Sequence, residues 1–309
     1  MNKKTGSDEC EGSNFRLGIS AENGKYHMVM QDSNCVLIGI PKTGLENWSF
    51  MGVFDGHYKD SNDLSDYLSK ELLNSILEAD QELFDELAQN SINQNQKKIN
   101  ERIKLAIKKA FFETDSKEGK MLKKLTCGFY DPIKHLHMDF PGSTAVACLI
   151  SPTHIYLINC GDSRAILVSD NQIKIATIDH KPNNPLEIER IKNAGGSITD
   201  DGKRIMGKKF DYSVSRGFCD YQFKCNLEKH PFEQIISAEP DIYIHERSNK
   251  DEFIVLACDG IWDVINNEEI QQYINYRLKM TQNLAEICKN IINVCIKKVF
   301  IIIFILKYI

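Results

Sequence analysis

The stretch GSTAVACLISPTHIYLINCGDSRAILVSDNQIKIAT, residues 142–177, decides the fold. Within it STAVACLI, HIYLINC, RAILVS and QIKIAT are apolar runs of strand length, rich in β-branched residues. The spacers PT, GDS and DN are turn chemistry. Spacers this short join antiparallel neighbours, since a parallel crossover takes a dozen residues or more. The stretch therefore reads as an antiparallel meander.

Working outward, CVLIGI and WSFMGVF add two strands upstream, and EFIVLACDG adds one downstream. In WSFMGVF both alternating sets are apolar, so its sheet is expected to be covered on both faces. Three segments read as helices. DLSDYLSKELLNSILEA carries Leu64, Tyr67, Leu68, Leu72 and Ile76 on one stripe. A second helix bears Ile99, Ile103, Ile107, Ala110 and Phe111, and NLAEICKNIINVCIKK closes the series. The Asn/Gln-rich stretch QNSINQNQKKIN between the first two reads as a loop or a fraying helix end. A shorter helix lies in NNPLEIERIKNAGG, with Asn184 as cap, Pro185 at the first position and Gly195 at the end. The sum is an α+β domain over 15–298, helices outside sheets, preceded by a disordered tail at 1–14.

Composition narrows the class. A chain of 309 residues is long enough for a sizeable core, and its net charge of −5 gives no footprint of nucleic-acid binding. Ten cysteines occur with no CxxC and no zinc-ligand spacing. They read as reduced thiols, so an intracellular location, cytoplasmic or nuclear, is expected. The N-terminus has no signal-peptide core, and residue 2 is asparagine, not the glycine of myristoylation. The apolar end VFIIIFILKYI, 299–309, is too short to span a bilayer, which takes about 20 residues. No stable membrane insertion is expected. That end reads either as a terminal buried strand or as translated AT-rich non-coding sequence, an artefact of the gene model.

Several strands end in aspartate: FDGH after WSFMGV, CGDSR after IYLIN, and CDGIWD after EFIVLA. Strand ends present side chains rigidly, and Asp-Gly offers a carboxylate beside an accessible carbonyl. Both are hard oxygen ligands suited to Mg²⁺ or Mn²⁺. Each aspartate alone is equally readable as a turn former.

The ordered set of motifs resembles the metal-dependent Ser/Thr protein phosphatases of the PP2C (PPM) family. These are FDGH at 54–57, GSTAV at 142–146, NCGDSRAIL at 159–167, DHKP at 179–182 and ERIKNAGG at 189–196. SVSRGFCD at 213–220, SAEPD at 237–241 and FIVLACDGIWDV at 253–264 follow. The resemblance implies a four-layer α-β-β-α sandwich, with a last strand altered or missing, and two metal ions between its sheets. It assigns Asp55 to bridge the ions, the Gly56 carbonyl to bind one, and Asp259 to complete the shell of the other. Asp162 and Asp263 would hold a third, looser ion; read without the resemblance, Asp162 is a hairpin turn and Asp263 a helix N-cap. Asp32 would orient metal-bound water for attack on phosphorus, and His57 would act as general acid. The segment between Val214 and Ile236 matches a flap beside the active site. Phosphoprotein substrates and a monomeric chain are the implied partners and state. A rival signature, CEGSNFR at 10–16, has the Cys-x5-Arg spacing of cysteine-dependent phosphatases, but it lacks the strand before and helix after that would hold phosphate.

The departures are as informative as the matches. In HMVMQD, 27–32, Gln31 replaces a metal-binding glutamate, and His27 replaces an arginine that grips phosphate. An imidazole has no planar fork of donors. Tyr58-Lys59 replaces Gly-Gly after DGH. No aspartate follows Asp263, although the family places a metal ligand near the final strand. Two functions follow: an active Mg²⁺/Mn²⁺-dependent phosphatase, or a weak or inactive pseudophosphatase that binds phosphoproteins or kinases.

Overall fold

The computed structural model describes residues 6–11, 15–22, 30–57, 61–89, 95–125, 141–207, 210–226, 228–295 and 301–308. The strands are β1 (Gly6–Glu11), β2 (Phe15–Glu22), β3 (Ser33–Ile38), β4 (Ser49–Phe54) and β5 (Gly56–His57). After three helices come β6 (Gly142–Ser143), β7 (Ala145–Ile150), β8 (His154–Cys160), β9 (Arg164–Ser169) and β10 (Gln172–Ala176). The last are β11 (Phe218–Cys219), β12 (Asp241–Glu246), β13 (Asp251–Ala257) and β14 (Ile301–Tyr308). The helices are α1 (Asp63–Ala79), α2 (Gln81–Ala88), α3 (Gln96–Leu125), α4 (Pro185–Asn193), α5 (Asp259–Trp262), α6 (Asn267–Leu278) and α7 (Leu284–Cys295).

Two large antiparallel sheets result, in the orders β12-β8-β7-β4-β3 and β1-β2-β14-β13-β9-β10. The single meander expected over 142–177 is corrected to two hairpins: β7 and β8 belong to the first sheet and β9 and β10 to the second, and the GDS spacer crosses between the sheets. Period-2 alternation builds three layers of core. Met51, Val53, Val146, Cys148, Leu157, Ala165, Leu167, Ile254 and Leu256 meet between the sheets. From the same strands, Phe50, Phe54, Ala147 and Ile158 point outward onto α1 and α3. On the opposite side Ile166, Val168, Phe253 and Val255 meet α6 and α7. The expected sandwich with helices outside is therefore present. The α1 stripe Leu68, Leu72 and Ile76 is fully buried. Each such side chain contributes about 1.5–3 kcal/mol of transfer free energy.

Three further expectations need correction. The apolar end does not leave the last strand missing: β14 pairs with β2 on one side and β13 on the other, inside the sheet. An apolar strand satisfies such a doubly paired position, because both of its neighbours take up its backbone groups. The tail at 1–14 is not wholly disordered, since Gly6–Glu11 is an edge strand on β2. That hairpin also sets the CEGSNFR signature aside structurally, with Cys10 in β1 and Arg16 in β2 and no helix after it. In the Asn/Gln stretch, residues 96–100 already belong to α3, and a separate helix α2 precedes it. Asp80 caps α2 by accepting from the Leu83 N–H at 3.1 Å.

Candidate functional site

The carboxylates converge at one end of the sandwich because strands from both sheets finish there. Asp55 follows β4, Asp32 precedes the adjoining β3, Asp259 opens α5 after β13, and Asp162 lies in the turn between β8 and β9. The FDGH turn is stapled to GSTAV: the Thr144 N–H donates to the Asp55 carbonyl at 2.9 Å, and the Asp55 N–H donates to Thr144 Oγ1 at 3.4 Å. Gly56 is required by space. A Cβ there would sit 2.5 Å from the carbonyl oxygen of Gln31 and 3.2 Å from Ser65 Oγ. Ser65 Oγ fixes this approach by donating to the Gln31 carbonyl at 2.5 Å, so Gln31 is buried against the turn.

The electrostatics of the cluster call for a cation. Asp32 is buried, and neither carboxylate oxygen has a hydrogen bond of normal geometry. Burial pushes its carboxyl up to about 7, with the Asp259 charge adding to the shift. Asp259 is pushed to about 7 by burial and then by Asp162. Asp55 lies well above the usual carboxylate range through burial, then through Asp32, Asp259 and Asp162. Like charges out of water raise one another in this way unless a cation neutralises them. Ligand atoms of Asp32, Asp55 and Cys258 all lie within 4.8 Å of one another. Two carboxylates at that spacing fit a divalent ion, with hard oxygen donors suited to Mg²⁺ or Mn²⁺. Cys258, whose thiol joins the group, was not singled out from sequence.

The candidates for a looser ion behave differently. Lys181 places its ammonium 2.7 Å from Asp162 Oδ2 and 4.0 Å from Asp263. A lysine from DHKP thus already supplies positive charge there. Asp263 sits at the rim, its side chain 45% exposed. The helix N-cap reading of Asp263 does not hold, because it is the C-terminal cap of α5 and Asn266 caps α6. Asp162 lies in a turn between β8 and β9, but not in the hairpin turn expected, since those strands belong to different sheets. His27 lies outside the described residues.

His57 stands beside the cluster in β5, its side chain 29% exposed. Its Nε2 lies 2.9 Å from Asp220 Oδ2. Burial disfavours the imidazolium, but Asp220's charge and hydrogen bond outweigh it and hold the pKa above its ordinary value. The Tyr212 ring meets the imidazole edge-on, with centroids 6.2 Å apart. Asp220 was missed by sequence reasoning. The only signal was an aspartate closing SRGFCD, and a neighbour 163 residues away cannot be read from spacing.

Comparison with known proteins agrees with this geometry. The family description "Protein phosphatase 2C" matches residues 17–299. Protein phosphatase 1B of Rattus norvegicus is 40% identical over 295 residues, covering 93% of this chain and 68% of that protein. Protein phosphatase 1A of Homo sapiens is 39% identical, with the same coverage of 93% and 68%. Among solved structures, a serine-threonine phosphatase 2C from Toxoplasma gondii superposes with a TM-score of 0.77 at 18% identity, covering 100% of this chain and 99% of that one. A C. elegans sex determining protein follows at a TM-score of 0.69 and 20% identity, covering 97% and 65%. The motifs, the sandwich and the relatives coincide: the chain belongs to the protein phosphatase 2C family.

Proposed function

We propose that the chain hydrolyses phosphoserine and phosphothreonine in proteins in a Mg²⁺- or Mn²⁺-dependent reaction. The observation that carries this reading is the mutually repelling set of buried Asp32 with half-buried Asp55 and Asp259, beside the partly exposed His57. Bound divalent ions would supply Lewis acidity and make water a nucleophile at neutral pH. Asp55 and the Gly56 carbonyl would hold two such ions jointly, with Asp259 completing the set and Asp32 close enough to orient water or to ligate. Asp162 and Asp263 would hold a third only in competition with Lys181. His57 would protonate the departing seryl or threonyl oxygen, a role contributing roughly 10²–10⁴-fold. His27 would stand at the phosphate, and the substrates would be phosphoproteins met inside the cell by a monomeric enzyme.

A second reading is favoured by one specific observation. Gln31 is neutral where the resemblance expects glutamate, and no aspartate follows Asp263 in the sequence. β14 begins beside the end of β13 that leads to Asp259, and the preceding residues 296–300, outside the described set, read IKKVF. This reading makes the chain a phosphoprotein-binding pseudophosphatase. Phosphate release from a phosphoseryl peptide decides between them. The hydrolytic reading expects release that is stimulated by Mn²⁺, stopped by EDTA, and lost in Asp55→Ala and Asp259→Ala. No release in millimolar Mn²⁺, with retained binding of the phosphopeptide, establishes the second.

A further inference from the structure

We propose that Asp220 is a positioning residue for His57, locking the imidazole with Nε2–H toward its own carboxylate so that Nδ1 is the nitrogen left to meet the leaving oxygen. This rests on the hydrolytic reading and adds to it a residue that no sequence motif reading assigned.

The geometry is built, not incidental. β6 lies between β11 and β5, and Gly142 pairs with Cys219 on one side and His57 on the other. Asp220 follows Cys219 and reaches across Gly142 to the imidazole. A Cβ on Gly142 would fall 2.1 Å from His57 Nε2 and 2.3 Å from Asp220 Oδ2, so the hydrogen bond passes through the space a side chain would occupy. Cys219 and Asp220 both adopt left-handed backbone, with φ of 59° and 50°, a conformation that is unfavourable for non-glycine residues. Strain of this kind persists where surroundings over-determine it, and it clusters at functional sites. Here the surroundings are explicit. The Asp220 N–H donates to the Pro141 carbonyl at 3.1 Å, and the Cys219 N–H donates to Asp115 Oδ1 at 2.7 Å. Lys224 is taken up by Asp115, at 2.8 and 2.9 Å, and does not compete for Asp220.

In the reaction, a water oxygen bonds to phosphorus as the bond from phosphorus to the seryl oxygen breaks. The bonding pair stays on the seryl oxygen, and the proton on His57 Nδ1 passes to it. The proton released by the water restores the imidazolium. Accepting from Nε2–H, Asp220 holds the imidazolium in the orientation that presents Nδ1–H to the leaving oxygen.

The test compares two substrates in the full chain with Mn²⁺. A phosphoseryl peptide expels a strongly basic alkoxide and needs the acid, whereas p-nitrophenyl phosphate expels a weak base and needs it far less. Asp220→Asn is expected to lower the ratio of peptide to aryl turnover by about 10–10²-fold, within the range assigned to a general acid. Gly142→Ala, which obstructs the pair without altering either member, is expected to lower the same ratio. In a His57→Gln background, Asp220→Asn is expected to lower it no further, since two residues acting as a unit are non-additive. Equal loss on both substrates, or full additivity with His57→Gln, overturns the proposal. If the unaltered chain hydrolyses neither substrate, the hydrolytic reading fails, and the pair is decided by imidazole ¹⁵N spectra, with His57 assigned by its loss in His57→Gln. Nε2 protonation that changes in Asp220→Asn supports the pairing, and a neutral ring protonated at Nδ1 alone in the unaltered chain overturns it.

Discussion

The fold buries charge in two places, and it treats them in opposite ways. In α4, Glu187 is 1% exposed and fully answered by its own chain. Arg190 donates to it at 2.6 Å, Arg216 at 2.7 and 3.0 Å, and the Ser215 hydroxyl at 2.6 Å. Burial alone would raise its pKa, but the hydrogen bonds and charge of Arg216 and Arg190 hold it at about 2. At the strand ends, buried Asp32 lies against half-buried Asp55 and Asp259, and desolvation and repulsion drive them the other way, to about 7 for Asp32 and Asp259. A buried carboxylate supplied with guanidinium is architecture. Buried carboxylates left to repel one another are a demand for a cation from outside.

This contrast can be broken at several points. The largest effect is expected from Glu187→Ala, which removes the buried carboxylate shared by the largely buried Arg190 and Arg216 and should cost about 3–5 kcal/mol in urea unfolding. Arg216→Ala should fall in the same range. An equal cost for Asp55→Ala in metal-free protein would erase the distinction.

Acid titration sharpens it further. Glu187 has a folded pKa of about 2 against an ordinary value of 4.5, so its contribution is present above pH 4.5 and lost as pH falls toward 2. The shift corresponds to about 3 kcal/mol. Asp32 and Asp259 are raised from 3.8, so their contribution is present below that value and lost as pH rises through about 7. Metal-free protein should therefore be most stable near pH 4 and weaker on either side. A monotonic rise in melting temperature from pH 5 to 8 without metal would contradict the cluster's electrostatics.

Metal should act on one side only. Mn²⁺ at a hundredfold excess over its dissociation constant is expected to add about 2.7 kcal/mol. The gain should be larger at pH 7.5 than at pH 5, where protons compete for the same oxygens, and thermal melts with and without EDTA measure it. The smallest expected effect has the reverse sign. Asp55→Asn removes one of the repelling charges and should stabilise metal-free protein at pH 7.5 by about 1–2 kcal/mol while abolishing the Mn²⁺ response.

Legibility followed the range of the interactions. α1 and α4 were readable because stripe, cap and stop are local: Asn184 accepts from the Leu186 N–H as the cap should, and Gly195 takes φ +90°. The hairpins β7–β8 and β9–β10 were readable because their turns fix their pairing, whereas the crossing from one sheet to the other at GDS was not, since a three-residue spacer looks the same in either case. α2 was hidden by its brevity, since its eight residues owe their existence to the Asp80 cap and to Leu83 and Phe84 beneath it. β1 has no apolar alternation, and only its pairing with β2 makes it a strand. At the site, Asp55, Asp162 and Asp259 were visible because each follows a strand and Asp32 only through the resemblance, whereas the His57–Asp220 pair depends on a left-handed turn and on Gly142 leaving a gap. Neither has a pattern along the chain.

The position of β14 bears on how the molecule comes to be folded. Phe15 pairs with Tyr308 and Glu22 with Ile301, so the second sheet joins one end of the described chain to the other. Loop closure over such a separation is costly in entropy and slows folding. Until residues 301–308 arrive, the edges of β2 and β13 stay unpaired on a newly made chain, open to the wrong strand. The sheet that carries Asp259 is thus a late event in the life of the protein, and a nascent chain should depend on chaperones until that seam is closed.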